Sequence, residues 1–364
     1  MRVMFAGGGT GGHIYPALAV AKELINRRPE AEILFIAGTR GIESKIFSDA
    51  GFDVKTIPVT GLPRKVSPSL IPFTWKLVMS IVQSRRCLKG FRPSVIMATG
   101  GYVSGPPIIA AYMMGIPVVI QEQNSFPGIT NRKLGRFAEI VFLGFRDAVK
   151  YFEGKVETMV TGNPVRNGIG TSEREASAIK FSLDPELKTI LVFGGSQGSH
   201  AINIVLREVI EQIAQMEIQI LWQTGPKEFE ENRVFDGMSD GRVRILPYID
   251  DMVSAYSAAD MVVSRAGAMT VAEITACGLP AVLIPLTTAA ENHQEYNARS
   301  LVSSGSAVMI VEKDLTPEVL LHEIKRIISS EDTLAGMSEA SRKMGKKNAA
   351  GVIAGVLVER YGMN

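Results

Sequence analysis

The chain has 364 residues, of which 46% are hydrophobic and 21% charged, with a formal net charge of +2. This composition is typical of a soluble globular protein, and the length favours two domains that are each large enough for a core. No uninterrupted apolar run reaches the ~18 residues that a membrane-spanning helix needs.

The sequence shows no sign of secretion or of a metal centre. The N-terminus leads directly into a predicted strand, so we expect no signal peptide. Cys87 and Cys277 fit no metal or redox spacing, and a reduced cytoplasmic setting is the simplest account of them. The four histidines are scattered along the chain, which argues against a metal site built on histidine.

Short apolar segments alternate with amphipathic ones, which predicts βαβ units and parallel sheets. In the first half the predicted strands are 3–6, 32–37, 54–57, 95–98, 118–120, 140–142 and 157–160. The predicted helices are 16–26, 42–49, 70–89, 107–114 and a short one after Thr130.

A glycine-rich stretch at 7–13 follows the first strand and precedes the first helix. Glycines let the backbone approach a phosphate closely, and the N–H groups of the first helical turn point at it. The stretch is not a Walker loop, because His13 and Ile14 hold the Lys and Ser/Thr positions. The dinucleotide pattern G-x-G-x-x-G does fit, although this match is weak by itself.

The second half repeats this opening pattern. A turn at 161–166 and a polar stretch at 168–175 are followed by a strand at 189–193, a glycine loop at 194–199 and a helix at 201–216. Further strands are predicted at 218–222, 243–246, 261–263, 281–284 and 307–310. Further helices are predicted at 252–258, 270–276, 294–303 and 317–329, with one or two more within 334–361.

These elements predict two tandem Rossmann-like α/β domains whose parallel sheets face each other across a cleft. We expect an N-terminal domain at 1–163 and a C-terminal domain at 164–345, with a terminal helix within 346–364 packing back on the first domain. Ligands of open α/β sheets bind beyond the carboxyl ends of the strands, so the cleft is the expected site.

The dinucleotide interpretation can be tested at the second strand. A nicotinamide enzyme should carry an acidic residue about 20 residues past the glycines, to bind the ribose. Here the strand is followed by Gly38, Thr39 and Arg40, and only Arg40 could bind a 2′-phosphate. An NADP-dependent reductase therefore stays a weak alternative.

The segment from 261 to 297 carries the most chemistry. A strand runs into Gly267 and a helix, and Glu273 lies about one turn into that helix, where its carboxylate could accept both hydroxyls of a ribose. A polar cluster at 291–297 suits sugar hydroxyls. Taken singly, Glu273 could be an exposed helix acid and Gln294 a helix cap, but in series they favour a nucleotide-sugar site.

Six motifs then make the resemblance specific. They are GGTGGH at 8–13, GGYVSGP at 100–106, EQN at 122–124, GNPVR at 162–166, GGSQG at 194–198 and RAGAMTVAE at 265–273. Their order and spacing resemble those of the MurG family, bacterial transferases that join N-acetylglucosamine to lipid-linked muramyl-pentapeptide. The resemblance covers residues 1 to about 300. It implies the GT-B fold, UDP-N-acetylglucosamine as donor, lipid I as acceptor, lipid II and UDP as products, and no cofactor.

The resemblance also implies roles for individual residues. Ile249 matches the uracil-contacting position, Tyr248 could stack on the base, and Asp250-Asp251 is not a metal-binding pair. The implied donor-binding residues are Thr10, Gly11, Gly12, Asn124, Arg166, Ser196, Tyr248, Ile249, Ala268, Met269, Thr270, Val271, Ala272, Glu273 and Gln294. The implied acceptor-binding residues are Gly9, Gly100, Gly101, Tyr102 and Ser104.

Transfer with inversion needs a base to take the proton from the acceptor's C4 hydroxyl. His13 is the first candidate, because it closes the glycine loop and its unperturbed pKa of about 6.5 suits the task. His13 could instead donate to a phosphate or cap the helix. Glu122 is the rival base.

The distribution of charge predicts a membrane surface. Between Asp53 and Glu122 there is no acidic residue, whereas eight lysines and arginines lie there. Large apolar side chains mix with these cations, which suits an interfacial patch on the anionic cytoplasmic leaflet of a bacterial plasma membrane. The predicted patch comprises Arg64, Lys65, Phe73, Trp75, Lys76 and Arg85.

Other classes remain open at this point. Nucleic-acid binding would need a recognisable module with stacking aromatics, and we find none. A nucleotide-sugar-binding subunit without activity and a sugar epimerase on the same fold are alternatives, although an epimerase would not need the basic patch. Other cell-wall synthesis proteins are candidate partners.

Overall fold

A computed structural model describes residues 1–39, 41–59 and 70–362 of the chain. Within an element, nothing is described of the side chains of residues 70–73 and 290. The chain forms two compact units, one of Met1–Val165 with Asn348–Asn364 and one of Arg166–Lys347. Among the described helices, none combines the length and apolar character needed to cross a bilayer.

The first unit contains a parallel sheet of seven described strands, in the order β3-β2-β1-β4-β5-β6-β7. Five of these strands are largely buried, as expected for a sheet covered by helices on both faces, and the two edge strands are more exposed. The strands are β1 (Arg2–Gly7), β2 (Glu32–Gly38), β3 (Asp53–Ile57), β4 (Val95–Gly100), β5 (Val118–Glu122), β6 (Ile140–Leu143) and β7 (Glu157–Val160).

The helices of the first unit cover both faces of this sheet. They are α1 (Gly11–Arg27), α2 (Glu43–Asp49), α3 (Leu70–Phe91), α4 (Gly105–Met113) and α5 (Ile129–Leu134), and the terminal helix belongs to the same unit. Two apolar clusters result, one between the sheet and α1 and the other between the sheet and the helices α3 and α4.

The second unit contains a parallel sheet of six described strands, in the order β10-β9-β8-β11-β12-β13. The strands are β8 (Lys188–Phe193), β9 (Ile218–Gln223), β10 (Val243–Leu246), β11 (Met261–Ser264), β12 (Ala281–Leu283) and β13 (Ala307–Met309). The helices are α6 (Arg174–Lys180), α7 (His200–Ala214), α8 (Phe229–Asn232), α9 (Met238–Gly241), α10 (Met252–Ala258), α11 (Ala268–Cys277), α12 (His293–Ser304), α13 (Pro317–Ile328), α14 (Glu331–Met344) and α15 (Ala349–Tyr361), the last of which lies in the first unit.

All predicted strands are present, and two tandem parallel-sheet domains are confirmed. The polar stretch expected to be a linker at 168–175 runs into helix α6, which the sequence did not predict. A residue far away in the sequence holds this helix, because Arg174 forms a bidentate ion pair with Asp260, with both contacts at 2.9 Å. Its stability therefore comes from tertiary contacts more than from its own sequence.

Helix α15 completes the first unit by packing against α1. Ile353, Ala354 and Leu357 are fully buried in that contact. At its end, Arg360 pairs with Glu157 through contacts of 2.7 and 2.8 Å, and the Tyr361 hydroxyl donates to Glu139 at 2.7 Å.

The order in which successive strands are added reverses once in each sheet, between β1 and β4 in the first and between β8 and β11 in the second. At such a switch point the loops that follow the two neighbouring strands diverge to opposite faces and leave a crevice at the carboxyl edge. The four loops concerned are those with the glycine motifs at 7–13, 100–101, 194–198 and 267. The topology therefore brings the motifs together in pairs, one pair in each unit.

Candidate functional sites in the two units

The first glycine loop joins β1 to a long helix. Gly9 has a φ of +86°, Thr10 is the N-cap of α1, and the first turn begins at Gly11. Thr10 is exposed, while Gly11 and Gly12 are half-buried. The helix is 17 residues long, so its first-turn N–H groups and its dipole favour an anion at this end.

His13 lies in this first turn with a defined orientation. Its Nδ1 is 3.0 Å from the Gly8 carbonyl oxygen and 3.3 Å from the Thr10 hydroxyl. A carbonyl oxygen can only accept, so Nδ1 carries the proton in the neutral ring and Nε2 is then the basic nitrogen. The Thr99 hydroxyl donates to the His13 carbonyl at 2.7 Å, which fixes the backbone as well.

The glycine turn after β4 lies directly against this imidazole. Gly100 and Gly101 have φ values of +108° and +79°. A β-carbon on Gly101 would lie 2.3 Å from the Gly8 carbonyl oxygen, and one on Gly100 would lie 3.0 Å from the His13 ring. Only glycine therefore allows the two loops to meet around His13.

The other two residues of the predicted acceptor set differ in exposure. Tyr102 is 54% exposed, whereas Ser104 is fully buried. The Ser104 hydroxyl donates its one proton to the Gly100 carbonyl at 2.7 Å, lies 3.0 Å from the Ala6 carbonyl, and accepts from the Gly100 N–H. Ser104 therefore fixes the glycine turn from inside the protein and does not present its hydroxyl to a ligand.

Glu122 ends β5 and is 1% exposed. Its Oε1 accepts from the Asn124 N–H at 2.8 Å and from the Asn124 side chain at 3.2 Å. Its Oε2 accepts from the Gly128 N–H at 3.1 Å and from Asn131 at 2.8 Å. Burial raises the pKa of this carboxyl, and the four donors oppose the rise.

Asn131 is a residue that the sequence did not single out. Besides donating to Glu122, its amide lies 3.4 Å from the position of a β-carbon on Gly100. It is 3% exposed and connects the Glu122 loop to the glycine turn beside His13. A buried asparagine in a polar helix start gives no signal in the sequence, because its partners come from other strands.

The second unit repeats the arrangement around the loop after β8. Gly198 has a φ of +77°, and a β-carbon there would lie 1.9 Å from the Thr224 carbonyl oxygen. Ser196 is exposed at the tip of the loop. The loop precedes α7, which is 15 residues long and offers a second helix start to an anion.

Gln223, which the sequence also did not single out, connects this loop to the predicted base-binding segment. It is buried at the end of β9, where its amide nitrogen donates to the Gly195 carbonyl at 2.8 Å and its amide oxygen accepts from the Ile249 N–H at 2.8 Å. Ile249 itself is 1% exposed, whereas Tyr248 is 44% exposed. The Ile249 side chain and N–H are therefore engaged inside the protein.

Helix α11 supplies the third helix start, with Gly267 as its N-cap. Ala268, Met269, Thr270 and Ala272 are half-exposed there, while Val271 is buried. Next to it, the Gln294 amide oxygen accepts from the N–H groups of Ala266 and Leu286 at 3.2 and 2.9 Å. The amide oxygen of Gln294 is therefore occupied within the unit, and a ligand would be contacted by its amide NH₂.

Glu273, predicted to hold a ribose, is 3% exposed. Its Oε1 forms an ion pair with Arg166 at 2.9 Å, and its Oε2 accepts from the buried Tyr256 hydroxyl at 3.2 Å. Burial raises the pKa of Glu273, and Arg166 and Tyr256 oppose the rise. Glu273 is thus not an exposed helix acid, and Arg166 is held by a carboxylate.

Asp251 has a structural role. Its carboxylate accepts from the Ser254 N–H at 3.0 Å as the N-cap of α10 and pairs with Lys180. The Lys180 ammonium and the Ser254 donors lower its pKa to about 2.

Three members of the predicted membrane patch can be placed. Trp75 is 66% exposed on α3, and Lys76 and Arg85 are exposed on the same helix. Arg64 and Lys65, the side chain of Phe73, and Arg40 of the NADP alternative lie outside the described residues.

Comparison with known proteins identifies the family. The glycosyltransferase family 28 N-terminal domain matches residues 3–143, and the glycosyltransferase family 28 C-terminal domain matches residues 189–353. The fold is that of the MurG crystal structure from Acinetobacter baumannii, with a TM-score of 0.79 and 29% identity over 98% of this chain and 99% of that one.

Two curated relatives carry the same name, UDP-N-acetylglucosamine–N-acetylmuramyl-(pentapeptide) pyrophosphoryl-undecaprenol N-acetylglucosamine transferase. The relative from Desulforamulus reducens is 44% identical and the alignment covers 96% of both chains. The one from Clostridioides difficile is 39% identical over 99% of this chain and 89% of its own. The chain belongs to the MurG family within glycosyltransferase family 28.

Proposed function

We propose that the protein transfers N-acetylglucosamine from UDP-N-acetylglucosamine to the C4 hydroxyl of the lipid-linked muramyl-pentapeptide acceptor, lipid I, giving lipid II and UDP. The observation that carries the proposal is the pair of switch-point crevices, each with glycine turns and a helix start for a phosphate. Two diphosphates enter this reaction, one in the donor and one in the acceptor, and the chain offers a cradle for each.

The second unit is the proposed donor half. The exposed Ser196 and the starts of α7 and α11 provide hydroxyl and N–H donors for the diphosphate, and their dipoles stabilise the negative charge that builds on UDP as it leaves. Tyr248, which is 44% exposed, stacks on the base, and Glu273 accepts from the ribose. The Gln294 amide NH₂ donates to the sugar.

The first unit is the proposed acceptor half, with His13 as the base. The Gly8 carbonyl holds the proton on Nδ1, so Nε2 can take the proton from the attacking hydroxyl. The turn of Gly9, Gly100 and Gly101, with Tyr102, binds the acceptor. Glu122 is the weaker candidate, because each of its two oxygens already accepts two hydrogen bonds, from Asn124, Gly128 and Asn131.

The test of the function is transfer of radiolabelled N-acetylglucosamine from its UDP donor to a lipid I analogue. We expect a labelled disaccharide lipid and little transfer from UDP-N-acetylgalactosamine, the specificity control. Donor binding without a labelled lipid would instead indicate a binding subunit. Stabilisation by NADP but not by UDP would point to the reductase alternative.

We predict that His13→Ala lowers kcat by about 100-fold or more, the range typical of a lost general base, while the dissociation constant for the donor changes by less than about threefold. Transfer kinetics and calorimetric titration with UDP-N-acetylglucosamine measure the two quantities. His322→Ala is the matched control, because that histidine is 73% exposed in the second unit. Near-normal turnover of the His13 variant would remove His13 as the base.

We predict that Glu273→Gln raises KM for the donor about 10-fold or more, because a carboxylate accepts from ribose hydroxyls more strongly than an amide does. Burial raises the pKa of Glu273, so on acidification its carboxylate takes up a proton at a higher pH than an ordinary glutamate does. Wild-type donor affinity should therefore begin to fall at that higher pH.

The matched control for this prediction is Glu211→Gln, at an exposed position on α7. The acid-side loss of donor affinity should be present in the wild type and in this control but absent in Glu273→Gln. A Glu273→Gln enzyme with unchanged KM for the donor and for its 2′-deoxyuridine analogue would exclude a contact with the ribose.

The chain is also proposed to act as a peripheral protein on the cytoplasmic face of the plasma membrane, where lipid I is available. Exposed Trp75 and the exposed cations on α3 supply apolar area and positive charge in one segment. Tyr112 and Met113, at the end of the adjacent α4, are 57% and 65% exposed and extend the apolar surface.

Liposome flotation tests this surface. We predict binding to vesicles with anionic phospholipid, weaker binding to neutral ones, and loss of most binding in Trp75→Ser and in Lys76→Glu, with added salt weakening the charge-dependent part. Val234→Ser, at a position 74% exposed in the second unit, is the control and should float like the wild type. Equal binding to both vesicle types, or to neither, would contradict the prediction.

A further inference from the structure

A mostly apolar cavity of about 290 Å³ lies within the first unit. Its walls come from the segment after β3, from α3, from the start of α4 and from α5. The apolar lining residues include Pro58, Val59, Leu77, Pro106, Ile109, Ile129 and Leu134, and the polar ones are Ser80, Tyr102, Thr130 and Lys133. We call this cavity the α3–α5 groove.

The groove begins where the acceptor's diphosphate is proposed to bind. Tyr102, in its wall, follows directly on the Gly100–Gly101 turn that packs against His13. Ile129 and Lys133 belong to α5, whose start is fixed by Glu122 through Gly128 and Asn131. The same hydrogen bonds that organise the site beside His13 therefore also set one wall of the groove.

The groove continues toward the exposed apolar end of α4. Ile109 lines it, and Tyr112 and Met113, three and four residues later on the same face of that helix, are 57% and 65% exposed. Lys133 at the rim is exposed, and within the described part of the chain it forms no ion pair. An apolar trough with an unpaired ammonium at its edge complements an anionic amphiphile, with its chain in the trough and its phosphate near the cation.

We infer that the α3–α5 groove binds the first isoprene units of the acceptor's polyprenyl chain, with Lys133 contacting the diphosphate to which that chain is attached. The inference rests on the proposed function, because it takes the acceptor to be a prenyl diphosphate. Its volume is near the lower end of small-ligand pockets, which suits a few isoprene units and leaves the rest of the chain in the membrane.

Two acceptors with the same sugar-peptide diphosphate and different tails test this inference. One carries a farnesyl group of three isoprene units and the other a methyl group, and both are used without vesicles or detergent, at concentrations where light scattering detects no micelles. We expect kcat/KM to be at least about tenfold higher for the farnesyl acceptor, since burying even a few methylene groups provides such a factor.

Variants locate the effect. Ile109→Ser and Ile129→Ser should each reduce the farnesyl-to-methyl ratio of kcat/KM to about threefold or less, and the ratio cancels any general loss of activity. Ile129 is 42% exposed, so its replacement should leave the fold intact. Val352→Ser, at an equally exposed position on α15 outside the groove, should keep the wild-type ratio.

A measurement without turnover separates this inference from the proposed function. Calorimetry should show farnesyl diphosphate binding to the wild type more tightly than methyl diphosphate, with the preference reduced in the groove variants and Lys133→Gln weakening both ligands. A wild-type ratio near one, or a preference that both isoleucine variants retain, would overturn the groove assignment and leave the transfer reaction intact. Failure to transfer to either acceptor, with farnesyl diphosphate still bound in the groove, would contradict the proposed function alone.

Discussion

The contact between two glycine turns is the constraint on which the first site depends. Gly101 approaches the Gly8 carbonyl so closely that no β-carbon fits, and the same carbonyl accepts a hydrogen bond from the Nδ1–H group of His13. The strand order creates this contact, because β1 and β4 are neighbours at the switch point. A side chain at position 101 would displace the carbonyl that fixes the His13 tautomer, so the packing of the two turns determines which ring nitrogen carries the proton.

In the second unit a buried side chain, that of Gln223, connects the two segments of the site. The Gln223 amide nitrogen donates to the Gly195 carbonyl and its oxygen accepts from the Ile249 N–H, so one buried amide joins the glycine loop to the predicted base-binding segment. Both ends of the amide are used, as a buried polar group requires. The loop predicted to bind the diphosphate and the segment predicted to bind the base are thus connected through one buried side chain.

The sequence was sufficient for the strands, the glycine loops and the family, because periodicity and glycine spacing are local signals. It was less informative about what each polar side chain contacts. Ser104 and Glu122 lie in motifs that look like ligand-binding sites, yet their oxygens bind the backbone and side chains of their own loops. Tyr256 and Asn131 carry no motif, and their partners are 17 and 9 residues away in the chain. Such pairings arise only when strands and helices assemble, so no local pattern encodes them.

The burial of Glu273 decides how its ion pair with Arg166 should be understood. A carboxylate with 3% exposure loses most of its hydration, and a neutral ribose brings two hydroxyl donors but no positive charge to compensate. Arg166 is therefore needed at Glu273 whether or not the nucleotide is bound. The Arg166 side chain is still 36% exposed, so the cation that compensates the buried carboxylate remains in contact with solvent. The sequence predicts separate roles for Glu273 and Arg166, whereas in the structure the two residues form a single charged pair.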